Sequence, residues 1–203
     1  MEMKTEYYNW HQPDQTRGDI LRAIRNAEQV LDLGCGTGWI VQACRSAGIA
    51  SVGLDIDLHA LQLAPNPEPL VCGSVTELPF ACEAFDAVVA KDILEHLLHP
   101  GQAIKEIWRV LRPNGVLWIS TPHAGSRRFY DDYTHVRPFT LQSLRSLLDD
   151  YGFTLHTFFY SGAWPGMGWF SRRRGYDGIE PIVKMAARMG LRRDNIHVIA
   201  FKR

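Results

Sequence analysis

Residues 30–38 constrain the fold of this chain more than any other segment, because an apolar run breaks directly into three glycines spaced one residue apart. The apolar half predicts a buried strand. Glycine accepts positive φ and lacks a Cβ atom, so the backbone after the strand can curl tightly and let a ligand approach its amide groups. The segment predicts a ligand-binding turn built from main chain.

A carboxylate follows the glycines at an informative interval. Asp55 ends a predicted strand over residues 50–55, about 20 residues beyond the glycine turn, where a nucleotide-binding α/β unit places a ribose-binding acid. The intervening residues 39–47 predict a helix that Gly48 closes. Strand, helix and strand in this order predict a parallel pair.

The alternation of strands and helices persists along the chain. Strands are predicted over residues 28–33, 50–55, 70–72, 86–90, 116–120, 153–160 and 196–201, and helices over 19–25, 39–47, 58–64, 100–111, 140–151 and 179–189. These elements predict an α/β fold with a doubly wound, Rossmann-like, seven-stranded and mostly parallel sheet. Ligands of such sheets bind where the strand order reverses. The glycine turn predicts that this point lies at the end of the first strand.

The residues of this turn resemble a known family. Residues 30–38 read Val-Leu-Asp-Leu-Gly-Cys-Gly-Thr-Gly, which is similar to the first motif of the class I S-adenosylmethionine-dependent methyltransferases. The resemblance continues through residues 85–90 and 111–117 and covers roughly residues 28–122. It implies the cofactor S-adenosylmethionine, a last strand that is antiparallel, and one methyltransferase domain over residues 1–203.

S-adenosylmethionine carries an amino-acid end, a sulfonium, a ribose and an adenine. Asp32 is the expected acceptor for the ammonium, Asp55 for both ribose hydroxyls, and Ile56 covers one adenine face. The resemblance implies that Lys91 occupies the position that lines the sulfonium side, and its ammonium is expected to point away or to pair with Asp92, since like charges repel. The predicted cofactor-binding residues are Asp32, Gly34, Cys35, Gly36, Gly38, Asp55, Ile56, Ser74, Val75 and Lys91.

One position departs from the family pattern. The loop after the third strand often reads Gly-Asp-x-x-x-Leu-Pro-Phe in the family, and this chain has Ser74 in place of the acid. A hydroxyl accepts a hydrogen bond without charge assistance, so a weaker contact to adenine is expected from this side chain.

The acceptor side is predicted from residues of about 122–139, a polar and aromatic insertion after the fifth strand. Its Asp-x-Thr-His-x-Arg-Pro pattern is similar to that of methyltransferases associated with glycan assembly. His135, oriented by Asp132, is a candidate to remove a hydroxyl proton, and His96 is a third candidate catalytic residue. Alternatively, Thr134, His135 and Arg137 only cap and brace the helix that follows.

Composition limits the partners and the compartment. Lys plus Arg equals Asp plus Glu at 22 each, so a small-molecule or glycan acceptor is expected, and neither nucleic acid nor membrane. The four cysteines lack zinc-ligand spacing, three of them fall in predicted buried segments, and no metal site is predicted. With no apolar leader, a cytoplasmic location is expected. The oligomeric state stays open.

Two other functions stay open at this stage. An NAD-dependent oxidoreductase shares the ribose-binding acid but requires Gly-x-Gly-x-x-Gly, a spacing that Gly34, Gly36 and Gly38 lack. A non-catalytic module that binds S-adenosylmethionine is compatible with the change at Ser74. An N-terminal lid over residues 1–18, with Tyr7, Tyr8 and Trp10, is expected to cover the pocket.

Overall fold

The predicted strands form one twisted sheet in the computed structural model, which describes residues 14–65, 67–161 and 194–203. Within these residues seven strands follow the order β3-β2-β1-β4-β5-β7-β6. They are β1 (Gln29–Leu33), β2 (Ala50–Asp55), β3 (Leu70–Cys72), β4 (Phe85–Lys91), β5 (Leu111–Pro122), β6 (Phe153–Ser161) and β7 (Asn195–Lys202). β7 runs antiparallel to both of its neighbours and the other pairs are parallel, which confirms the predicted fold class.

Helices cover both faces of this sheet. They are α1 (Asp14–Ala23), α2 (Trp39–Ser46), α3 (Leu58–Gln62), α4 (Pro100–Val110), α5 (Arg127–Tyr130) and α6 (Leu141–Asp150). Alternate residues of β4 enter different cores: Ala87 and Val89 pack with α1 and α2, whereas Val88 and Ala90 join the larger cluster with α4 and α6. A strand buried on both faces explains the unbroken apolar run that predicted it.

Local chemistry sets where the helices begin and end. The Asp57 carboxylate accepts the backbone N–H of His59 at 2.9 Å and so caps the start of α3. Thr140 and Ser143 form a reciprocal capping box at the start of α6. Gly48, at φ 79°, ends α2 in the left-handed conformation that glycine adopts without strain.

Several details differ from the sequence predictions, and α1, predicted over residues 19–25, begins earlier, at Asp14. β5 begins at Leu111, because Leu111 pairs with Phe85 before the predicted turn and the turn becomes an irregularity in the pairing of β4 with β5. Two of the cysteines expected to be buried, Cys72 and Cys82, are exposed, since β3 is an edge strand and Cys82 lies in a surface loop.

Two further predictions concern residues 1–18 and residues 179–189. The lid predicted over residues 1–18 overlaps α1, which begins at Asp14. Residues 1–13, with Tyr7, Tyr8 and Trp10, and the helix predicted over residues 179–189 lie outside the described residues.

Gly53 supports the first testable prediction, because a Cβ atom there would stand 2.7 Å from Cys35 Sγ and 2.8 Å from Leu70 Cδ2. Gly53→Ala is expected to lower the free energy of unfolding by about 1–3 kcal/mol through overpacking. Gly18→Ala in α1 is the matched control, since its nearest neighbour would be Arg22 Nη2 at 4.0 Å. The control should gain about 0.5–1 kcal/mol from helix propensity. Urea denaturation measures both, and equal effects of the two substitutions would contradict the packing argument.

Candidate functional site

The carboxyl ends of β1, β2 and β4 converge where the strand order reverses. β1 lies between β2 and β4. The chain continues from β1 to β2 and β3 on one side of β1, and then crosses to β4 on the other side of β1. Open α/β sheets bind their ligands in the crevice at such a point. Asp32, Asp55 and Lys91 stand at or beside these strand ends, and this edge is therefore the candidate site.

Asp55 connects the glycine turn to the neighbouring strand. Its Oδ2 accepts the backbone N–H of Gly36 at 2.8 Å, and its Oδ1 accepts the backbone N–H of Asp57 at 2.9 Å. An ionised carboxylate offers about four lone-pair sites, so each oxygen keeps capacity for another donor. Asp55 is therefore a fixed, planar acceptor suited to the two hydroxyls of a ribose.

The turn itself exposes its backbone. Gly34, Gly36 and Gly38 all have positive φ, at 68°, 53° and 80°. A Cβ atom on Gly36 would have no neighbour within 4 Å, so open space lies directly against the main chain there. Cys35 is buried, burial raises the pKa of its thiol, and Asp32 and Asp55 raise it further. Cys35 thus packs beneath the turn, and the backbone forms the cradle.

Asp32 is buried without a partner. The residue is 1% exposed, and neither carboxylate oxygen has a hydrogen-bond partner among the described residues. Burial raises the pKa of Asp32 well above its usual range, the positive charge of Lys91 opposes this, and Asp55 adds to it. A buried acceptor of this kind requires a donor or a positive charge. The ammonium of S-adenosylmethionine fits this requirement.

The remaining predicted cofactor residues surround this edge. Ile56 is 74% exposed beside Asp55, and Val75, in the loop that follows β3, is buried in the larger core cluster. Ser74 Oγ lies 2.8 Å from Thr76 Oγ1, so its hydroxyl is already engaged locally. Lys91 pairs with Asp92, as the sequence predicted.

Two residues that the sequence analysis missed hold the loop after β3. Glu106 Oε2 accepts the backbone N–H of Leu78 at 2.9 Å, and Arg109 donates to the carbonyl oxygens of Leu78 and Phe80 at 2.9 and 2.7 Å. Both side chains project from α4, an element far along the chain. Only their i, i+3 spacing, which suits an ion pair, was visible in the sequence.

A second polar group lies beside the cofactor edge. The Glu95 carbonyl oxygen accepts the backbone N–H groups of Val136 and Arg137 at 2.8 and 3.0 Å, which ties the 122–139 segment to the short helix Leu94–His96. The His96 and His135 rings consequently stand 4.7 Å apart, centroid to centroid. The structure thus brings together the three predicted catalytic residues and adds Glu95.

The hydrogen bonds of this group assign the imidazole protons. Thr134 Oγ1 donates to Asp132 Oδ1 at 2.6 Å, so Thr134 must accept from His96 Nδ1 at 3.0 Å. His135 Nδ1 donates to the Phe129 carbonyl oxygen at 2.9 Å. In their neutral forms both rings therefore carry a free lone pair on Nε2.

Asp132 does not orient His135 as the sequence analysis expected. Its Oδ2 lies 3.8 Å from His135 Nε2, too far for a direct hydrogen bond, and the Phe129 carbonyl holds the opposite ring nitrogen. Asp132 instead orients His96 through Thr134. The spacing in the sequence could not reveal which ring the carboxylate would reach.

Electrostatics favour the uncharged imidazole of His96. Burial lowers the pKa of His96 and the neighbouring His135 lowers it further, against the opposing charge of Asp132. Burial and the charge of Asp92 raise the pKa of Glu95 to about 8. Glu95 is fully buried, its Oε2 accepts from Thr121 Oγ1 at 3.0 Å, and its Oε1 has no partner among the described residues.

The alternative, in which Thr134, His135 and Arg137 cap and brace the following helix, holds only in part. Thr140 and Ser143 cap α6 by themselves, and neither Thr134 nor His135 contributes to that cap. Arg137 does brace the chain, because its Nη2 donates to the Leu98 carbonyl oxygen at 3.1 Å. Thr134 and His135 thus turn toward His96 and leave the cap of α6 to its own residues.

Comparisons with known proteins agree with this geometry. Residues 31–119 match the family model described as a methyltransferase domain. A probable S-adenosylmethionine-dependent methyltransferase of Mycolicibacterium smegmatis is 31% identical over 166 residues, which is 77% of this chain and 64% of that protein. A malonyl-[acyl-carrier protein] O-methyltransferase of Erwinia pyrifoliae is 36% identical over 104 residues, 50% of this chain and 40% of that protein.

A solved structure shares the fold. The crystal structure of an S-adenosylmethionine-dependent methyltransferase from Archaeoglobus fulgidus superimposes with a TM-score of 0.72 at 20% identity, over 93% of this chain and 94% of that one. The family model over residues 31–119, the relatives and the glycine turn together support a class I methyltransferase domain with S-adenosylmethionine as its cofactor. The chain spans 64% and 40% of the two curated relatives named above. In the described part of the chain, no helix is long and apolar enough to cross a membrane.

Asp32 yields a prediction with two readouts. An acid whose pKa is raised by folding stabilises the fold below its unfolded pKa and loses that contribution as the pH rises through the folded pKa. Asp32→Asn should therefore stabilise the cofactor-free protein by about 1 kcal/mol at pH 8, and by less at pH 5.5. It should also weaken the binding of S-adenosylhomocysteine.

Urea denaturation at both pH values and calorimetric titration measure these effects. Asp150→Asn, which replaces an exposed carboxylate at the end of α6, is the control and should change neither. A loss of stability in Asp32→Asn at pH 8 would contradict the assignment of a strained, unpartnered acid.

Proposed function

We propose that this protein transfers a methyl group from S-adenosylmethionine to a hydroxyl of a small molecule or a glycan. The observation that carries the proposal is the adjacency of two features at one sheet edge. The turn fixed by Asp55 lies at the ends of β1 and β2. Beside it, His96 follows the end of β4, and its ring meets that of His135 from the segment after β5. The glycine turn suits a nucleoside, and the two imidazoles suit the proton of an acceptor.

The cofactor half uses the predicted residues. The cradle of Gly34, Gly36 and Gly38, the acceptor Asp55 and the unpartnered Asp32 would hold the ribose and the amino-acid end. When bound, S-adenosylmethionine supplies a methyl carbon whose C–S bond breaks, with the electron pair kept by sulfur, as the bond to the acceptor oxygen forms.

The acceptor half has to align a hydroxyl and take its proton, because the methyl carbon needs no further activation. The group offers two kinds of proton acceptor, the Nε2 lone pairs of the histidines and the Oδ2 atom of Asp132. Burial would raise the pKa of Asp132, but two hydrogen bonds from Thr134 outweigh it and keep the pKa low. Asp132 therefore stays ionised.

Two observations favour oxygen over nitrogen as the methylated atom. A group that accepts protons is needed for a hydroxyl, whose proton must leave, and the relative from Erwinia pyrifoliae is an O-methyltransferase by its description. The exposed aromatic rings of Tyr130 and Tyr133 on the insertion, 69% and 85% exposed, offer flat faces of the kind that sugars stack against. These features support a polar, hydroxylated acceptor.

Binding of the cofactor product tests the first half. Asp55→Asn keeps the shape of the side chain but removes its charge, and it is expected to weaken S-adenosylhomocysteine binding by about 10–100-fold. Asp150→Asn should bind as the unmodified protein does. Calorimetric titration supplies the comparison, and an affinity that is unaltered in Asp55→Asn would refute the proposed cofactor site.

Methyl transfer tests the second half. Transfer of labelled methyl from S-adenosylmethionine is measured on a panel of hydroxyl, amine and carboxylate acceptors that includes glycans. Hydroxyl acceptors are expected to react, and His135→Ala and His96→Ala should lower kcat by about 10²–10⁴-fold while product affinity stays unchanged. Tight binding of S-adenosylhomocysteine without turnover on any acceptor would instead favour a non-catalytic binding module.

A further inference from the structure

Three potential metal ligands meet in the acceptor half of the site. One ligand atom from each of Glu95, His96 and His135 lies within 4.8 Å of the other two. Glu95 and His96 come from the short helix after β4, and His135 comes from the insertion after β5. Two imidazoles and one carboxylate on one side of a centre form a set that binds divalent transition metals and leaves positions open.

The free atoms point to coordination. The Nδ1 atoms are engaged by Thr134 and by the Phe129 carbonyl, so Nε2 is the ring atom of each histidine that remains to hold a cation; that of His135 lies 3.8 Å from Asp132 Oδ2. Glu95 is fully buried and its Oε1 has no partner among the described residues. A buried carboxylate oxygen without a donor is costly unless a cation or a proton meets it.

The surroundings resemble the outer shell of a metal site. A metal-binding histidine usually donates its second ring N–H to a carbonyl or a carboxylate, which fixes the tautomer and the ring. His135 does so directly to the Phe129 carbonyl at 2.9 Å. His96 does so indirectly. Its Nδ1 lies 3.0 Å from Thr134 Oγ1, and Thr134 Oγ1 in turn donates to Asp132 Oδ1 at 2.6 Å.

We propose that Glu95, His96 and His135 bind one divalent transition-metal cation of the Zn²⁺ type. The inference rests on the proposed function for its role, because the open coordination position then takes the acceptor hydroxyl. The cation lowers the pKa of that hydroxyl. The hydroxyl proton leaves to Asp132, which lies 3.8 Å from His135 Nε2 and is partly exposed, and the oxygen forms the C–O bond as the C–S bond breaks.

This role changes the part played by the histidines. In the metal-bound form their lone pairs hold the cation, so they position the acceptor and Asp132 takes the proton. Imidazole favours Zn²⁺ and related ions, whereas Mg²⁺ and Ca²⁺ prefer all-oxygen sites. No metal site was predicted from the sequence, because the cysteines lack zinc-ligand spacing and these three ligands come from two separate segments.

Metal titration tests the site directly. The full chain without a histidine tag is freed of metal with a chelator and titrated with Zn²⁺ against a chromophoric chelator. One equivalent should bind, and Glu95→Gln, His96→Ala and His135→Ala should each weaken binding by roughly 100-fold or more. Thr134→Val, which removes only the outer contact to His96, should weaken it by about 10–100-fold. His99→Ala is the matched control, an exposed histidine close in sequence, and should bind as before.

The outcomes separate this inference from the proposed function. S-adenosylhomocysteine should bind all of these variants without metal, and circular dichroism checks that each is folded. Zn²⁺ binding that is absent, or unaffected by all four substitutions, overturns the metal site even if S-adenosylhomocysteine binds. Binding of Mg²⁺ in preference to Zn²⁺ overturns the stated class of cation. If a ligand variant does not fold, Thr134→Val still decides, because a shift of its Zn²⁺ affinity is required.

Methyl transfer then tests the role. With any acceptor found reactive, activity should fall at least 10-fold after chelation and return on addition of Zn²⁺. Full activity of the metal-free protein would show that imidazole alone takes the proton and would overturn the role given to the cation. A protein that binds Zn²⁺ but not S-adenosylhomocysteine would fail the proposed function and leave the metal site standing.

Discussion

The hydrogen bond from the Gly36 backbone N–H to Asp55 Oδ2, 2.8 Å long, is the contact on which the rest of the site depends. It joins the turn after β1 to the end of β2, and so it makes one rigid unit of the two strands that flank the cofactor crevice. Gly34 and Cys35 reinforce the link, because their N–H groups donate to the Leu54 carbonyl at 2.8 and 3.2 Å. The turn can present open backbone to a ligand because its own polar groups are satisfied from β2.

Buried acids dominate the electrostatics of this edge. Asp32 and Glu95 are buried and Asp92 is partly buried, and Lys91 pairs directly with Asp92. Burial would raise the pKa of Asp92, but Lys91 and the Ser120 hydroxyl outweigh it. Among the described residues, Asp32 and Glu95 have no such paired cation. An edge of this kind favours positively charged occupants, and S-adenosylmethionine and a divalent cation both meet that condition.

Much of the fold was predictable because its signals are local. The apolar runs and the glycine and proline positions predicted β2, β3 and the ends of α2 within a residue or two. The errors have a common cause. The early start of β5 depends on pairing with Phe85, and the exposure of Cys72 depends on the edge position of β3. Neither can be read from the residues themselves, since both are set by a neighbouring strand.

The sequence alone predicted the proposed cofactor half of the site, because a turn and an acid on consecutive strands of a βαβ unit have a fixed spatial relation. The tertiary structure alone decided how the residues of the proposed acceptor half are arranged. Thr134 and His96 are 38 positions apart, and they meet because two backbone N–H groups of the insertion bind the Glu95 carbonyl. Hydrogen bonds between distant segments leave no periodicity in a sequence. The partner of Asp132, the free Nε2 atoms and the unpartnered Glu95 oxygen therefore became visible only in the folded chain.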